Sequence, residues 1–332
     1  MSIIEICTEL DSDTETEIDT QTNSASTQKA IFAKDLLWKQ NATIKIGFLG
    51  TDSGIEFVKS TAKNVDPIEI EISNLTPINA IKKVVNERIQ PLVNLKLIFV
   101  NNSSTADIRI SFDNKEGSKS AIGTYALKKP KNKYTMNFAW FNASTILHEF
   151  GHAIGMRHEH QGPFSNIQWD KEVLDEYYEE LGWSPAKVQR NIIDKKNPKD
   201  IIGSDFDPLS IMLYFFPPEF TLNHIGTPEN ERLSGYDVIW ITKTYPRKNG
   251  ITPEDFYYNT YGISLADSLA ESDRLANRYK PGYTEPFAWW KILLIIISIL
   301  VLIGIAVTFY LNKRRQNQRQ SYRPIFQREK YL

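Results

Sequence analysis

Apolar and polar residues along this chain follow two different periods, and the switch between them predicts its elements. Residues 43–49 (TIKIGFL) read as a strand closed by Gly50, and residues 95–100 as another. Residues 106–112 (ADIRISF) alternate strictly, with Ile108, Ile110 and Phe112 on one side and Asp107, Arg109 and Ser111 on the other. Residues 117–127 (GSKSAIGTYAL) predict a returning edge strand, to which an extended peptide could pair through its backbone. Between these runs the period lengthens. Thr76-Pro77 combines a capping hydroxyl with proline at the first helical position, and Ile78, Ile81, Val84, Val85 and Ile89 follow as a helical stripe that Pro91 closes. Further helices are predicted over residues 142–154, 166–181 and 184–194, and near 264–280. One more, over 233–246, has Ser234 as its cap and Tyr236, Ile239, Trp240 and Tyr245 facing the core.

The ends of the chain break both periods. Residues 292–311 are twenty residues without a charge, long enough to cross a hydrocarbon core. Trp289, Trp290 and Tyr310 stand at interfacial positions, and Lys313, Arg314 and Arg315 follow. Residues 1–20 carry seven acidic residues and no Lys or Arg, unlike a secretory leader. The polar stretch after them extends an expected disordered leader over 1–35.

Composition adds little beyond this. With 332 residues and a net charge of −1, nothing overall points to a nucleic-acid partner. A single cysteine, Cys7, excludes an internal disulfide. Its neighbours (EICTE) form no recognisable metal-masking motif, so it reads as a free, bland thiol.

The informative chemistry is HEFGHAIGMRHEH, residues 148–160. Residues four apart on a helix lie on one face, so His148 and His152 can aim their imidazoles at one metal ion. Glu149 is one residue round from His148, within reach of a water in that site. Gly155 can take a positive φ and reverse the chain, which brings up His158 as a third nitrogen. Three protein ligands with one open position is the arrangement of a catalytic zinc site, so one Zn2+ per chain is expected. Downstream, Ser210-Ile211-Met212-Leu213-Tyr214 supplies a methionine-containing turn of the kind that accompanies such a zinc motif in metzincins. His160 and His224 lack ligand spacing and read as loop histidines, His160 alternatively as a residue that backs up a ligand.

Together, ADIRISF, IGTYAL, TMNF, TILHEFGHAIGMRHEHQGP, IQWDKE, DFDPLSIMLY and LSGYDV…YP resemble the astacin-family zinc endopeptidases, especially their disulfide-free microbial-type members. The resemblance covers roughly residues 106–246. It implies zinc on His148, His152 and His158, with Glu149 as general base and Tyr214 as a retractable fifth ligand that stabilises the oxyanion. It also implies a structural role for Glu159. Two departures stand out: Leu213 occupies a position where the family often has His, and the usual cysteines are missing. Residues 48–52 (FLGTD) loosely resemble the F-x-G-D segment of astacin propeptides, with the spacing off by one, and a strand end explains them better.

The expected fold class is α+β. A twisted mixed sheet with an active-site helix is followed by a helical lower subdomain carrying the Met-turn, and then by one transmembrane helix. The expected organisation is a leader over 1–35, a zinc metalloprotease domain over 36–247, a juxtamembrane stalk over 248–290, a span over 291–311 and a basic tail over 312–332. The expected function is that of a membrane-anchored zinc endopeptidase acting on protein or peptide substrates. The alternatives are a catalytically idle adhesion or virion-surface protein on the same scaffold, and another metzincin such as a matrixin. Glu159 and SIMLY favour astacin over matrixin. Orientation is contradictory in sequence. The basic cluster places the tail in the cytoplasm and the protease outside, as would suit sequons at Asn41, Asn74, Asn101 and Asn102. The unexportable leader and the lack of disulfides favour tail-anchored insertion with a cytosolic protease, in a host or virion membrane.

Overall fold

The helix starts read at Thr76 and Ser234 are helix starts in the computed structural model, which describes residues 8–9, 30–60, 62, 64–203, 205–283 and 289–326. Cys7 and most of the expected leader lie outside the described residues. Strand β1 is Thr8–Glu9, β2 is Phe32–Ala33 and β3 is Thr43–Phe48. Helix α1 spans Ile68–Ile72. Helix α2, Pro77–Val84, starts where Thr76 accepts the amide of Asn79, and a wider turn over Val85–Ile89 extends it. Strands β4 (Lys96–Phe99), β5 (Ile108–Ser111), β6 (Lys119–Ser120) and β7 (Met136–Asn137) follow, then helix α3, Ala143–Ala153. Helices α4 (Lys171–Glu180) and α5 (Pro185–Val188) precede β8 (Ile201–Ile202), and α6 spans Gly235–Thr244. The expected helix over 166–181 starts later than its pattern suggests, because Trp169 pairs as a bridge with Thr221 and Asp170 supplies the cap.

The main sheet runs β1-β6-β7-β5-β3-β4, with β6 antiparallel to β7 and the remaining neighbours parallel. It is therefore a mixed sheet. A separate pair joins β2 to β8. Ile44, Ile46, Ile108 and Ile110 pack from the sheet onto Ile81, Val84, Ile146 and Phe150 of the helices, and this forms the main core. A second cluster (Leu174, Tyr178, Val188, Ile192, Phe216 and Phe220) builds the lower region around the Tyr214 ring.

Two sequence expectations change here. Arg109, on the polar side of β5, is fully buried. Its guanidinium donates to the carbonyls of Lys133, Asp107 and Lys129, among others, so an internal cation holds the 126–133 loop against the sheet. The expected edge strand shrinks to β6. Beyond it Gly123, at φ +47, turns the chain into a 3-10 helix over Gly123–Lys128, and a side chain at Gly123 would collide with the Leu36 carbonyl.

Residues 253–279, read from sequence as stalk, fold as helix α7 (Pro253–Tyr261), helix α8 (Leu265–Ala276) and a short 3-10 turn. Phe256, Tyr257, Tyr261 and Leu265 join the main core, and both helices pack on α6. The chain clusters into two compact units, Met1–Tyr283 and Thr284–Leu332.

The second unit contains helix α9, Trp289–Phe326. Its stretch Leu293–Asn317 contains an 18-residue window with a mean hydropathy of 2.9 and is long and apolar enough to cross a membrane. Within it, Ser298 and Thr308 return their hydroxyls to the carbonyls four residues back, so these two polar groups need no water.

Candidate active site

Helix α3 brings the first two histidines together by local rules alone. Asn142 caps it by accepting the amide of Thr145, and all its residues except Ser144 are buried. The helix contains Gly151, an unusual interior choice that costs about 1 kcal/mol relative to alanine. The reason is steric: a Cβ there would stand 2.5 Å from the Met212 sulfur. The methionine turn is therefore seated directly against the metal helix. Gly155 ends α3 at φ +106, and its amide bonds to the His152 carbonyl. The reversed chain is held where Arg157 donates to the Ile31 carbonyl and Glu159 donates to the Met212 carbonyl.

These constraints deliver His158 beside His148 and His152. One nitrogen from each ring lies within 4.8 Å of the other two, and Nε2 of His152 is 3.0 Å from Nε2 of His158. Two of the rings are oriented from behind. Nδ1 of His148 donates to the Ile211 carbonyl at 2.8 Å, and Nδ1 of His152 donates to the Met156 carbonyl at 2.9 Å. A carbonyl can only accept, so the proton sits on Nδ1 and the Nε2 lone pairs face the shared centre. Burial first, and the neighbouring imidazoles second, hold the His158 pKa well below its ordinary value. A neutral imidazole is the form that binds a metal. Three converging neutral nitrogens on a buried site fit zinc by donor chemistry and by geometry.

The remaining predicted residues gather around this triad. Glu149 is completely buried beside His148. Tyr214 places its hydroxyl 2.6 Å from His158 Nε2. Glu159 turns the other way and accepts the Asp207 amide at 2.9 Å, which fits a structural role. His224 is exposed at positive φ, away from the chemistry. His160 takes the second of the two roles read for it, behind a ligand. It is buried, its ring stacks on His158 at 5.4 Å, and its Nε2 lies 3.1 Å from the Asn191 carbonyl. Gln161 likewise donates to the carbonyls of Arg190 and Asp194, so the loop behind the third ligand is fastened to the α5 region. Sequence reasoning also missed Asp237. Its carboxylate accepts the Ile211 amide and the Ser210 hydroxyl, fixing the peptide that orients His148. The capping position three residues after Ser234 was its only trace in the sequence.

Residues 68–216 match the peptidase family described as Astacin. The chain is also similar to a solved structure of myroilysin, with 30% identity, a TM-score of 0.55, and coverage of 66% of this chain and 99% of that one. The chain belongs to the astacin family. A crystal structure of myroilysin matches at 29% identity with a TM-score of 0.43, over 67% of this chain and 90% of that one. High choriolytic enzyme 1, a hatching-enzyme zinc-protease from the medaka fish Oryzias latipes, matches at 15% identity and a TM-score of 0.38, over 65% of this chain and 98% of that one. No curated protein matches the chain significantly. As an astacin, this chain is a zinc metalloendopeptidase whose zinc-binding site is His148, His152 and His158. Leu213, the departure from the family's common histidine, packs with Ile167, Phe206, Ile225 and Tyr279. An apolar side chain there is satisfied by its surroundings.

Proposed function

We propose that this astacin hydrolyses peptide bonds with Glu149 as general base and Tyr214 as oxyanion donor, and that α9 tethers it to a membrane. The observation that carries the reading is the burial of Glu149 and the approach of the Tyr214 hydroxyl beside the histidine triad. Zinc, when held by the three histidines, supplies a Lewis acid that brings the pKa of a water toward neutrality and polarises a carbonyl. Glu149 takes the proton from the attacking water and passes it to the leaving amine. Tyr214 swings from His158 and donates to the oxygen that gains charge as the scissile carbonyl is attacked. The substrate is an extended protein or peptide segment lying along β6. Thr8–Glu9 pairs with that same edge, so a substrate strand there displaces it. We read the zinc metalloprotease domain, expected over 36–247, as extending through α7 and α8, with the span over 291–311 and the basic tail over 312–332 after it.

Glu149→Gln keeps the shape and removes the base. The variant should retain zinc and lose casein cleavage by about 10²–10⁴-fold. Cleavage at the wild-type rate would remove Glu149 from the mechanism. Loss of both zinc and cleavage would make it a structural residue.

A further inference from the structure

We infer that Ser272 on helix α8 is a positioning residue for the zinc site, and that the α7–α8 pair is a working part of the peptidase. The route is a continuous series of buried hydrogen bonds. The Ser272 hydroxyl donates to Asp207 Oδ1 at 2.5 Å, and the Ser234 hydroxyl donates to Asp207 Oδ2 at 2.6 Å. Ser234 in turn accepts the Asp237 amide at 2.9 Å, and its own amide donates to Asp237 Oδ2 at 2.9 Å. The same Oδ2 accepts the Ile211 amide at 2.8 Å, and the Ile211 carbonyl receives the Nδ1 proton of His148 at 2.8 Å. Asp207 also reaches the opposite side of the site, because its amide donates to Glu159, the neighbour of His158.

Every side chain on this route is buried: Asp207 and Asp237 are 0% exposed, Ser272 1% and Ser234 2%. A buried carboxylate depends on its donors, because no water replaces one that is removed. Ser272 is sixty-five residues from Asp207 in the chain and sits beyond the 68–216 stretch matched by the family. Helix α8 is held in register independently. Gly235 lets Leu265 and Leu269 approach to 3.0 Å from where its Cβ would be, and its amide donates to Ser268 at 3.0 Å. Tyr257 of α7 shares a hydrogen bond with the same Ser268, and Tyr261 donates to Asp66, which is paired with Arg88. The pair thus has an anchoring serine, Ser268, and a separate one, Ser272, aimed at the turn that orients a zinc ligand.

The inference rests on His148 being a zinc ligand, and its test reads metal binding independently of Glu149. Full-length Ser272→Ala, Ser272→Thr and Ser268→Ala proteins are compared with wild type. The readouts are zinc affinity by chelator competition, the His148 Nδ1 nitrogen shift in metal-free protein, melting temperature, and kcat and KM on a peptide. Ser272→Ala should weaken zinc binding about tenfold, lower kcat by a similar factor with KM within about twofold, and move the Nδ1 signal. Ser272→Thr keeps the donor and should restore all three. Ser268→Ala should lower the melting temperature and leave zinc affinity alone. If Ser272→Ala does not fold, Ser272→Cys, a weaker donor of similar size, carries the comparison with the same expected direction. Wild-type zinc affinity in the Ser272 variants, or an equal loss in Ser268→Ala, overturns the inference.

Discussion

The histidine cluster and the acid cluster share one buried hydrogen-bonded framework, and they are built on opposite principles. The histidine cluster turns its backs to the protein and its faces inward, with Nδ1 of His148 and His152 given to carbonyls and the Nε2 atoms converging. The acid cluster of Asp207 and Asp237 turns its carboxylate oxygens to protein donors, from Ser272, Ser234, Ser210 and Ile211. The first is arranged for a ligand and the second is closed on itself. The difference teaches how such a site stays precise: its reactive groups are aligned by buried groups that have no chemistry of their own to perform.

The comparison can be broken at either cluster. At the histidine cluster, Tyr214→Phe deletes a hydroxyl that contacts His158 and leaves the ring in its aromatic surroundings. It should lower kcat by about 10²-fold with zinc stoichiometry intact, as for the loss of one oxyanion donor. Steady-state kinetics with metal analysis checks this, and unchanged kcat would reduce Tyr214 to packing.

At the acid cluster the expected effect is smaller, and stability reads its pH dependence. Burial, reinforced by Asp207, pushes the Asp237 carboxyl up to about 7, although its donors pull the other way. A folded-state value above the unfolded one means the fold binds this proton more tightly. The contribution of Asp237 to stability is therefore fully present below about pH 4 and is lost as pH rises through 7. Asp237→Asn cannot titrate and offers one acceptor fewer, so it should cost about 2 kcal/mol, with the deficit larger at pH 5 than at pH 8. Denaturant titrations at the two pH values measure it. An equal deficit at both would show that Asp237 stays ionised throughout.

How much of this was legible in sequence follows the range of the interactions. The zinc histidines, the Gly155 reversal and the caps Thr76 and Ser234 act over a few residues, and their spacing states them outright. The Met-turn was legible only beside the zinc motif. Partners distant in the chain were not legible. Arg109 sits in a strict alternation that reads the same whether its face meets water or carbonyls. His160 is buried through contacts with Asn191, Tyr214 and Phe216, none of which its neighbours announce. Residues 253–279 read as stalk because their composition is polar and Tyr-rich, whereas their fit depends on the small residue Gly235 and on a hydroxyl reaching Asp207. The apolar stretch of α9 was the easiest to read, since its length and lack of charge are its whole signal.

The central claim is that zinc is held by three histidines, leaving one position open for chemistry. Zinc-edge X-ray absorption on the purified full-length protein tests it directly. The account predicts one zinc per chain, with three imidazole nitrogens at about 2.0–2.1 Å and one further oxygen. A sulfur at about 2.3 Å, which only Cys7 or a methionine could supply, or fewer than three imidazoles, would contradict it.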